Sequence, residues 1–377
     1  VRFDIPALEE MLGIKIKAKL VDTLALSWYL EPNRAMHGLE WWGEEFGVPK
    51  PKVDDWEGLT PEEYMHRCEE DVKINTKLWE RQWKQLLNMY GSPEEAWKLI
   101  DYLTFKMVCA KNQEKLRWKL DVPKAESLFE HLNTKYTELV VALEKAMPKV
   151  PVKTTKAKPK KCYKQDQSLS ELGKKWFALL EELGEDEDVT EVTYISSYNE
   201  PNAASDPQLK AWLADLGWIP CTFKFKRDKE TGDVRQIPQV RKKNDDNEPE
   251  LTPSVERLIE TEPSVALLKE VGLVKHRLDV VKGFLDNVDE DGYIQARVGG
   301  FTNTLRFKHR VVVNLPGIDK PYGEDLRGCL TAPEGHELCG SDMAALEDRT
   351  KQHYMWPHDP EYVTTMLEEG YCPHVDI

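Results

Sequence analysis

Apolar residues recur every three or four positions over several long stretches of the chain, and this period lays out its helices. Near the start, Asp4 follows an aromatic and precedes a helix whose Pro6 suits a first turn. His37–Phe46 reads as a short amphipathic helix. Thr60-Pro61-Glu62-Glu63 is a capping box with proline at the first helical position. The helix it opens carries Tyr64, Cys68, Asp71, Asn75 and Trp79 three or four apart, which places Asp71 on or beside the inward stripe. A carboxylate there is costly unless it is paired or binds a metal. Residues 95–147 read as two helices around a turn at Arg117–Pro123, the second running from Lys124 through Leu128, Leu132, Tyr136, Leu139, Leu143 and Met147.

Farther on, Asp206 with Pro207 opens a helix that stops at Gly217, Thr222–Pro238 reads as a β-hairpin turning near Gly232, and 239–262 reads as polar and flexible. Val265–Phe284 is another long helix, and Asp291 begins a turn into a strand. Near the end, Leu338-Cys339-Gly340 is an apolar run that breaks at Ser341-Asp342, and helix formers follow from Met343 to Leu346. The pattern predicts a strand ending in Asp342 and a helix starting just after it. A carboxylate at such a junction, beside a free backbone carbonyl, suits an oxygen-preferring divalent cation such as Mg²⁺. Glu347 lies about 500° further round the helix and can line the wall of the same pocket. An ordinary capping carboxylate is the plainer alternative.

At 377 residues with 40% hydrophobic positions and twelve Trp, the chain can bury two or three domains. No apolar run approaches the ~18 residues of a membrane span, and no signal peptide is visible. The seven Cys are scattered, with no C-x-x-C pair, so they read as reduced thiols. A net charge of −15 argues against a nonspecific nucleic-acid coat but leaves room for a local basic cleft. One stretch runs against it: 148–164 holds seven Lys, Lys153, Lys156, Lys158, Lys160 and Lys161 among them, and no acid. With its prolines it reads as an extended basic arm, either gripping phosphates, docking a partner, or serving as a solvated linker. The acidic run Glu181–Glu191 after it reads as loop. The chain opens on Val and stops at Val375-Asp376-Ile377, and reads as a segment of a longer product.

The D-x-x-x-x-E-x-R of Asp342, Glu347 and Arg349 resembles motif A of the family A (DNA polymerase I type) DNA polymerases. The order of weaker matches along the chain extends that resemblance, to the bacteriophage replicative type. Phe3-Asp4 resembles the second motif of the family's 3′–5′ exonuclease domain, Asp22-Thr23 a recurrent pair, and Asp71 the last Asp of its third motif. The D-x-E pair is absent. Arg67 stands where a Tyr is usual, whereas His66 fits the related group that uses His as general base. The segment Asn202…Gly217-Trp218-Ile219-Pro220 resembles one of phage polymerases. Thr304-Leu305-Arg306, Asn314-Leu315-Pro316 and Arg327 follow in the family's order, with Leu305 in place of a Gly. Cys372-Pro373-His374 resembles the D-I-H segment.

This resemblance implies an α+β multidomain fold. Residues 1–92 form part of a ribonuclease H-like exonuclease domain, 93–285 a thumb with a basic, flexible insertion at 148–260, and 286–377 the first part of an antiparallel palm sheet including motif A. It implies DNA-templated DNA synthesis, with two Mg²⁺ ions per active site of the complete protein. Asp342, with the Met343 carbonyl, and Asp4 with Asp71 are the implied ligands. Glu347, Arg349 and His374 face the nucleotide. Arg306, His309, Arg327 and the five lysines of the arm face DNA, and His66 serves as base. The implied partners are primer–template DNA, dNTPs, the remaining polymerase segment with fingers and motif C, and a processivity factor at the insertion. The implied location is the cytoplasm of a bacterial host. With one polymerase carboxylate and two exonuclease carboxylates, neither site is complete, so the 377 residues alone are expected to be inactive. The alternatives are a non-catalytic DNA- or partner-binding remnant, half of a split polymerase, or an unrelated acidic α+β protein.

Overall fold

In the computed structural model, which describes residues 2–53, 55–227, 233–244, 248–368, 370 and 371, most long helices begin where a side-chain oxygen meets a free backbone N–H. After α1 (Asp4–Leu12), Asp22 caps α2 (Thr23–Leu30) by accepting from the Ala25 N–H. α3 (Leu39–Glu45) follows. The capping box at Thr60 then starts α4 (Pro61–Tyr90), and Ser92 starts α5 (Pro93–Leu116). α2, α4 and α5 bury Ala25, Leu26, Leu86, Ile100, Leu103 and Met107 together. Trp79, Trp83 and Trp97 pack at the edge of that core with ring centroids 5.3–6.3 Å apart. The inward stripe of α4 is Ile74, Leu78, Gln82 and Leu86; Tyr64 and Cys68 are exposed, because it is the later turns of α4 that pack against the core. α5, expected to open a second domain, shares this first core. No strand lies within the described residues of 2–92, which are helices and loops.

The expected turn at Arg117–Pro123 is instead β1 (Trp118–Leu120), drawn into extended form by pairing, and Asp121 then caps α6 (Val122–Ala146). The basic arm is β2 (Val150–Ala157). It is not a free arm: it pairs along its whole length with β3 (Glu191–Asn199), across α7 (Glu171–Leu183), a helix capped by Ser170 that takes up the start of the acidic run. Cys162, Trp176, Leu180 and Val192 make a small core there. α8 (Asp206–Asp215) comes next, then the expected ribbon as β4 (Phe223–Arg227) and β5 (Val234–Pro238), whose turn at Gly232 lies outside the described residues.

The stretch expected to be flexible forms β6 (Arg241–Lys243), β7 (Pro249–Leu251) and α9 (Pro253–Glu256), with Leu251, Thr252 and Val255 buried. Few of its residues are apolar, but those few fill the gap between α8 and the next helix, α10 (Leu267–Leu285). α10 runs against α6, and the two helices separate a core around Trp212, Leu213 and Leu268 from one around Leu132, Leu278 and Phe284. Tyr136 and Leu139 of α6 touch both.

β8 (Tyr293–Ile294) pairs with β1, and β9 (Arg297–Phe301) pairs with β10 (Phe307–Arg310). Between them Leu305, the residue standing for a glycine, has φ 61°, a left-handed conformation that costs a branched side chain about 1 kcal/mol. α11 (Gly323–Arg327) and β11 (Leu330–Thr331) follow, the latter in a three-stranded sheet of order β11–β1–β8. Helices with small antiparallel sheets make this an α+β fold, as expected. Two compact units divide the chain at 330/331. Within the second, α12 (Leu346–Met355) and α13 (Pro360–Met366) pack together, with Lys351 Nζ donating to Tyr362 Oη at 2.6 Å.

Arg277 of α10 is fully buried. It donates to Glu248 Oε1 at 2.6 Å and to the Pro321 carbonyl at 3.1 Å, and its Nη1 lies 3.0 Å from His276 Nδ1. Removing one partner strands the other charge, so Arg277→Leu is expected to destabilise the protein by about 3–5 kcal/mol, and Arg277→Leu with Glu248→Gln by clearly less. Urea denaturation of both variants measures this. Burial, reinforced by Arg277, also holds the His276 imidazole below its ordinary pKa of 6.5. Stability from the neutral ring is therefore fully present above that pH and is lost as pH falls through 6.5 toward the lower folded value. The slope is at most about 1.4 kcal/mol per pH unit. His276→Asn should flatten denaturation midpoints compared between pH 7.5 and 5.5 by that ring's share, and an unchanged profile would count against it.

Candidate functional site

α1, α2 and α4 bring several of the named groups around one cleft of about 310 Å³ in the first unit. Asp4 begins α1 at its rim and is exposed. Asp22 and Thr23, at the start of α2, line it together with Asn75 of α4, and Thr23 Oγ1 donates to Asn75 Oδ1 at 2.6 Å. His37 closes the floor: it is buried, stacked on Trp28 at 3.8 Å, and joined through Nδ1 to Ser27 Oγ at 2.7 Å. Its Nε2 is buried without a hydrogen-bond partner, and burial lowers its pKa. Neither His37 nor Asn75 was singled out in the sequence for chemistry. The H-G-L start of α3 was the signal for the first, and the i, i+4 step from Asp71 for the second.

Asp71 lies one turn before Asn75. Its Oδ2 is 3.0 Å from Lys50 Nζ, and its Oδ1 is buried with no hydrogen-bond partner. Of the two ways the sequence leaves for such a carboxylate, pairing or a metal, the structure shows an ion pair with Lys50. Asp71 and Asp4 do not line a common cleft. His66 stands exposed on the second turn of α4.

Asp342 does not end a strand. Residues 337–342 run as exposed, irregular chain, and α12 begins only at Leu346, after Ala345 in the left-handed region. A strand exists through hydrogen bonds to a neighbour, and none pairs with this stretch among the described residues. Leu338, Met343 and Leu346 are 55%, 65% and 50% exposed around the acid. Glu347 and Arg349 sit in the first turn of α12, with Arg349 Nη1 donating to Gln352 Oε1 at 3.3 Å. His374 lies outside the described residues.

Arg306 and His309 are exposed on or beside β10 of the first unit. Arg327 donates through Nε to the Pro316 carbonyl at 2.6 Å and through Nη2 to that of Leu315 at 3.2 Å, so it braces the loop after β10. Of the lysines, Lys153 and Lys156 are on β2. Lys158 donates to the Glu187 carbonyl and lies over the Phe177 ring, while Lys160 and Lys161 are exposed.

For the implied magnesium, the decisive test is the donor set. Among the described residues no three His, Cys, Asp or Glu side chains gather where they could hold a metal ion. Asp342 offers one carboxylate, and Asp71 one orphaned oxygen beside an ammonium. These residues do not by themselves make a metal centre.

No helix among the described residues is long and apolar enough to cross a membrane. No family model matches the sequence, and no curated protein matches it. The fold, however, is similar to a solved structure described as the POL domain of Pol1 from M. smegmatis in complex with DNA primer-template and dNTP. The TM-score is 0.51 at 14% identity, over 88% of this chain and 45% of that one. The chain thus spans under half the length of the polymerase domain whose fold it shares.

Proposed function

We propose that this chain is part of a family A DNA polymerase of phage replicative type, acting in template-directed extension of a primer, with part of an associated 3′–5′ exonuclease domain. The observation that carries this reading is the likeness of fold, across 88% of the chain, to a polymerase domain bound to primer–template DNA and dNTP. The order of the motif-like segments from Phe3-Asp4 to Asp342 supports it independently, since fold comparison does not use them.

In this reading 1–92 belong to the exonuclease domain, 93–285 to the thumb and 286–377 to the palm. Arg306, His309 and Arg327 serve the DNA backbone, where contacts fix position and carry no sequence information. Glu347, Arg349 and His374 serve the incoming nucleotide. Lys153, Lys156, Lys158, Lys160 and Lys161 form a basic edge for DNA or for a processivity factor. Nucleotidyl transfer is largely a matter of positioning and charge stabilisation. Asp342 and the Met343 carbonyl are one contribution to the polymerase centre, and Asp4, Asp71 and His66 one to the exonuclease centre. The two magnesium ions of each need carboxylates that these residues do not supply.

One observation favours a protein that works as one piece of an assembly, as in a split polymerase. The acid at the proposed centre is surrounded by the exposed apolar side chains Leu338, Met343 and Leu346, the kind of surface that a further segment covers.

The 377-residue chain is expected to bind a primer–template saturably at low salt yet to neither extend nor digest it when Mg²⁺ is added. Arg306→Gln should weaken binding roughly 10–150-fold, the worth of one charge-assisted hydrogen bond of about 1.5–3 kcal/mol. Fluorescence anisotropy and a primer-extension gel read these outcomes. Absence of saturable binding would remove the DNA reading, and extension at an ordinary polymerase rate would remove the need for a second segment.

A further inference from the structure

Between the start of α1, the later turns of α5 and the β9–β10 ribbon lies a cleft of about 510 Å³ that the reading above does not use. It is lined by five cations, Arg2, Lys111, Lys115, Arg297 and Arg310, against a single acid, Glu114. That acid is already committed. Its Oε1 accepts from the Val298 N–H at 2.8 Å, and its Oε2 lies 3.6 Å from Arg2 Nε, while Arg2 Nη1 donates to the Val298 carbonyl at 2.6 Å. Among the described residues, no hydrogen bond or ion pair engages the side chains of Lys111, Lys115 or Arg310. Arg297 has only a neutral partner, Gln295 Oε1 at 3.1 Å.

Two details go beyond a solvated basic face. Arg297 and Arg310 are direct cross-strand partners in the ribbon, a placement in which like charges repel and destabilise the pairing. Arg310 also lies against Gly299, where a Cβ would collide with its Nε, so the missing side chain makes room for the guanidinium at the cleft. Lys111 and Lys115 add two ammonium groups one turn apart on α5. In a chain of net charge −15, this repulsion is concentrated where a multivalent anion relieves it.

We propose that this cleft binds closely spaced phosphates: the backbone of a single-stranded nucleic acid, or a free oligophosphate. Two neighbouring guanidinium groups offer forked donors that match phosphate oxygens, and the ammonium groups neutralise adjacent ones as point charges. Phe3, 64% exposed at the rim, carries the Arg2 guanidinium over its ring at 4.3 Å, and its other face is where an unpaired base can stack. The proposal stands on the charges of the cleft, whether or not the chain takes part in primer extension.

The test is fluorescence anisotropy of a labelled short oligothymidylate on the 377-residue chain over a series of salt concentrations, with unlabelled tripolyphosphate as competitor. Arg297→Gln with Arg310→Gln should weaken binding at least about tenfold. It should also reduce the slope of log affinity against log salt by about 1.4, since each phosphate neutralised on a single strand contributes about 0.7. Displacement by tripolyphosphate at matched phosphate concentration identifies a free oligophosphate as the ligand. Displacement only by unlabelled oligonucleotide identifies a strand. Lys115→Glu, on an exposed position of α5, keeps the test decisive if the double variant does not fold, and should weaken binding severalfold. Folded variants that bind within twofold of the parent, with an unchanged salt slope, overturn the proposal, as does failure of both anions to bind.

Discussion

A guanidinium with no exposed surface fixes the middle of this protein. Taking Arg277 and Glu248 out of water costs several kcal/mol per ion, and only close geometry with every donor engaged offsets it. That requirement ties three segments far apart in sequence: α10, which carries Arg277; the β6–β7 ribbon, adjacent to Glu248; and the loop before α11, whose Pro321 carbonyl accepts the second bond. Hydrophobic packing of α10 on α6 could slide by a turn at modest cost, whereas a displaced Arg277 would leave a buried charge alone. From Pro321 the constraint passes through α11 to Arg327, whose guanidinium holds the Leu315 and Pro316 carbonyls.

The region around Asp342 is the opposite case, since nothing there is over-determined. The apolar run Leu338–Gly340 predicts a strand and the helix formers Met343–Leu346 a helix start, and their hydrophobicity is real. Periodicity specifies which way a side chain prefers to face, but a strand requires a hydrogen-bonded neighbour, and a helix start requires a cap. Residues 337–342 find no neighbour among the described residues, and Ala345 occupies the cap position without a side-chain oxygen. The apolar side chains therefore stay half or more in solvent, and each leaves roughly half of the ~1.5–3 kcal/mol of full burial unrealised.

Legibility followed the same division between local and partnered signals. The cap at Thr60, the helix start at Asp206-Pro207 and the stripe from Leu128 to Leu143 were readable because their information lies within a few residues. α4, α8 and α6 begin within a few positions of where those signals put them, although the cap position of α8 is Ser205 and Asp206 is its first helical residue. What depended on a partner was missed. Trp118–Leu120 became a strand by meeting Tyr293–Ile294 on one side and Leu330–Thr331 on the other, and the described residues of the polar stretch 239–262 are tied down by lending Leu251 and Val255 to another element's core. Of the basic arm 148–164, residues 150–157 are extended as read, yet pairing with β3 makes them one side of a sheet. At the first cleft, Asp4 and Asp22 were visible as acids at helix starts, whereas the Thr23–Asn75 bond and the floor made by His37 exist only once α2, α3 and α4 have packed.

Charge gives the last step. A sum of −15 describes the far field, which repels a polyanion at distances beyond about 10 Å only when salt is low. Within that distance the arrangement of individual groups decides. Apart from the run Glu181–Glu191, most acids of this chain are spread over helix starts and exposed faces, where capping and solvation account for them. Several of its cations are instead gathered: on β2 and the loop after it, and at the cross-strand pair Arg297–Arg310 with Lys111 and Lys115. Clustered cations in a chain of net negative charge create local positive potential that the overall sum does not show. A uniformly basic surface would hold nucleic acid everywhere and position it nowhere.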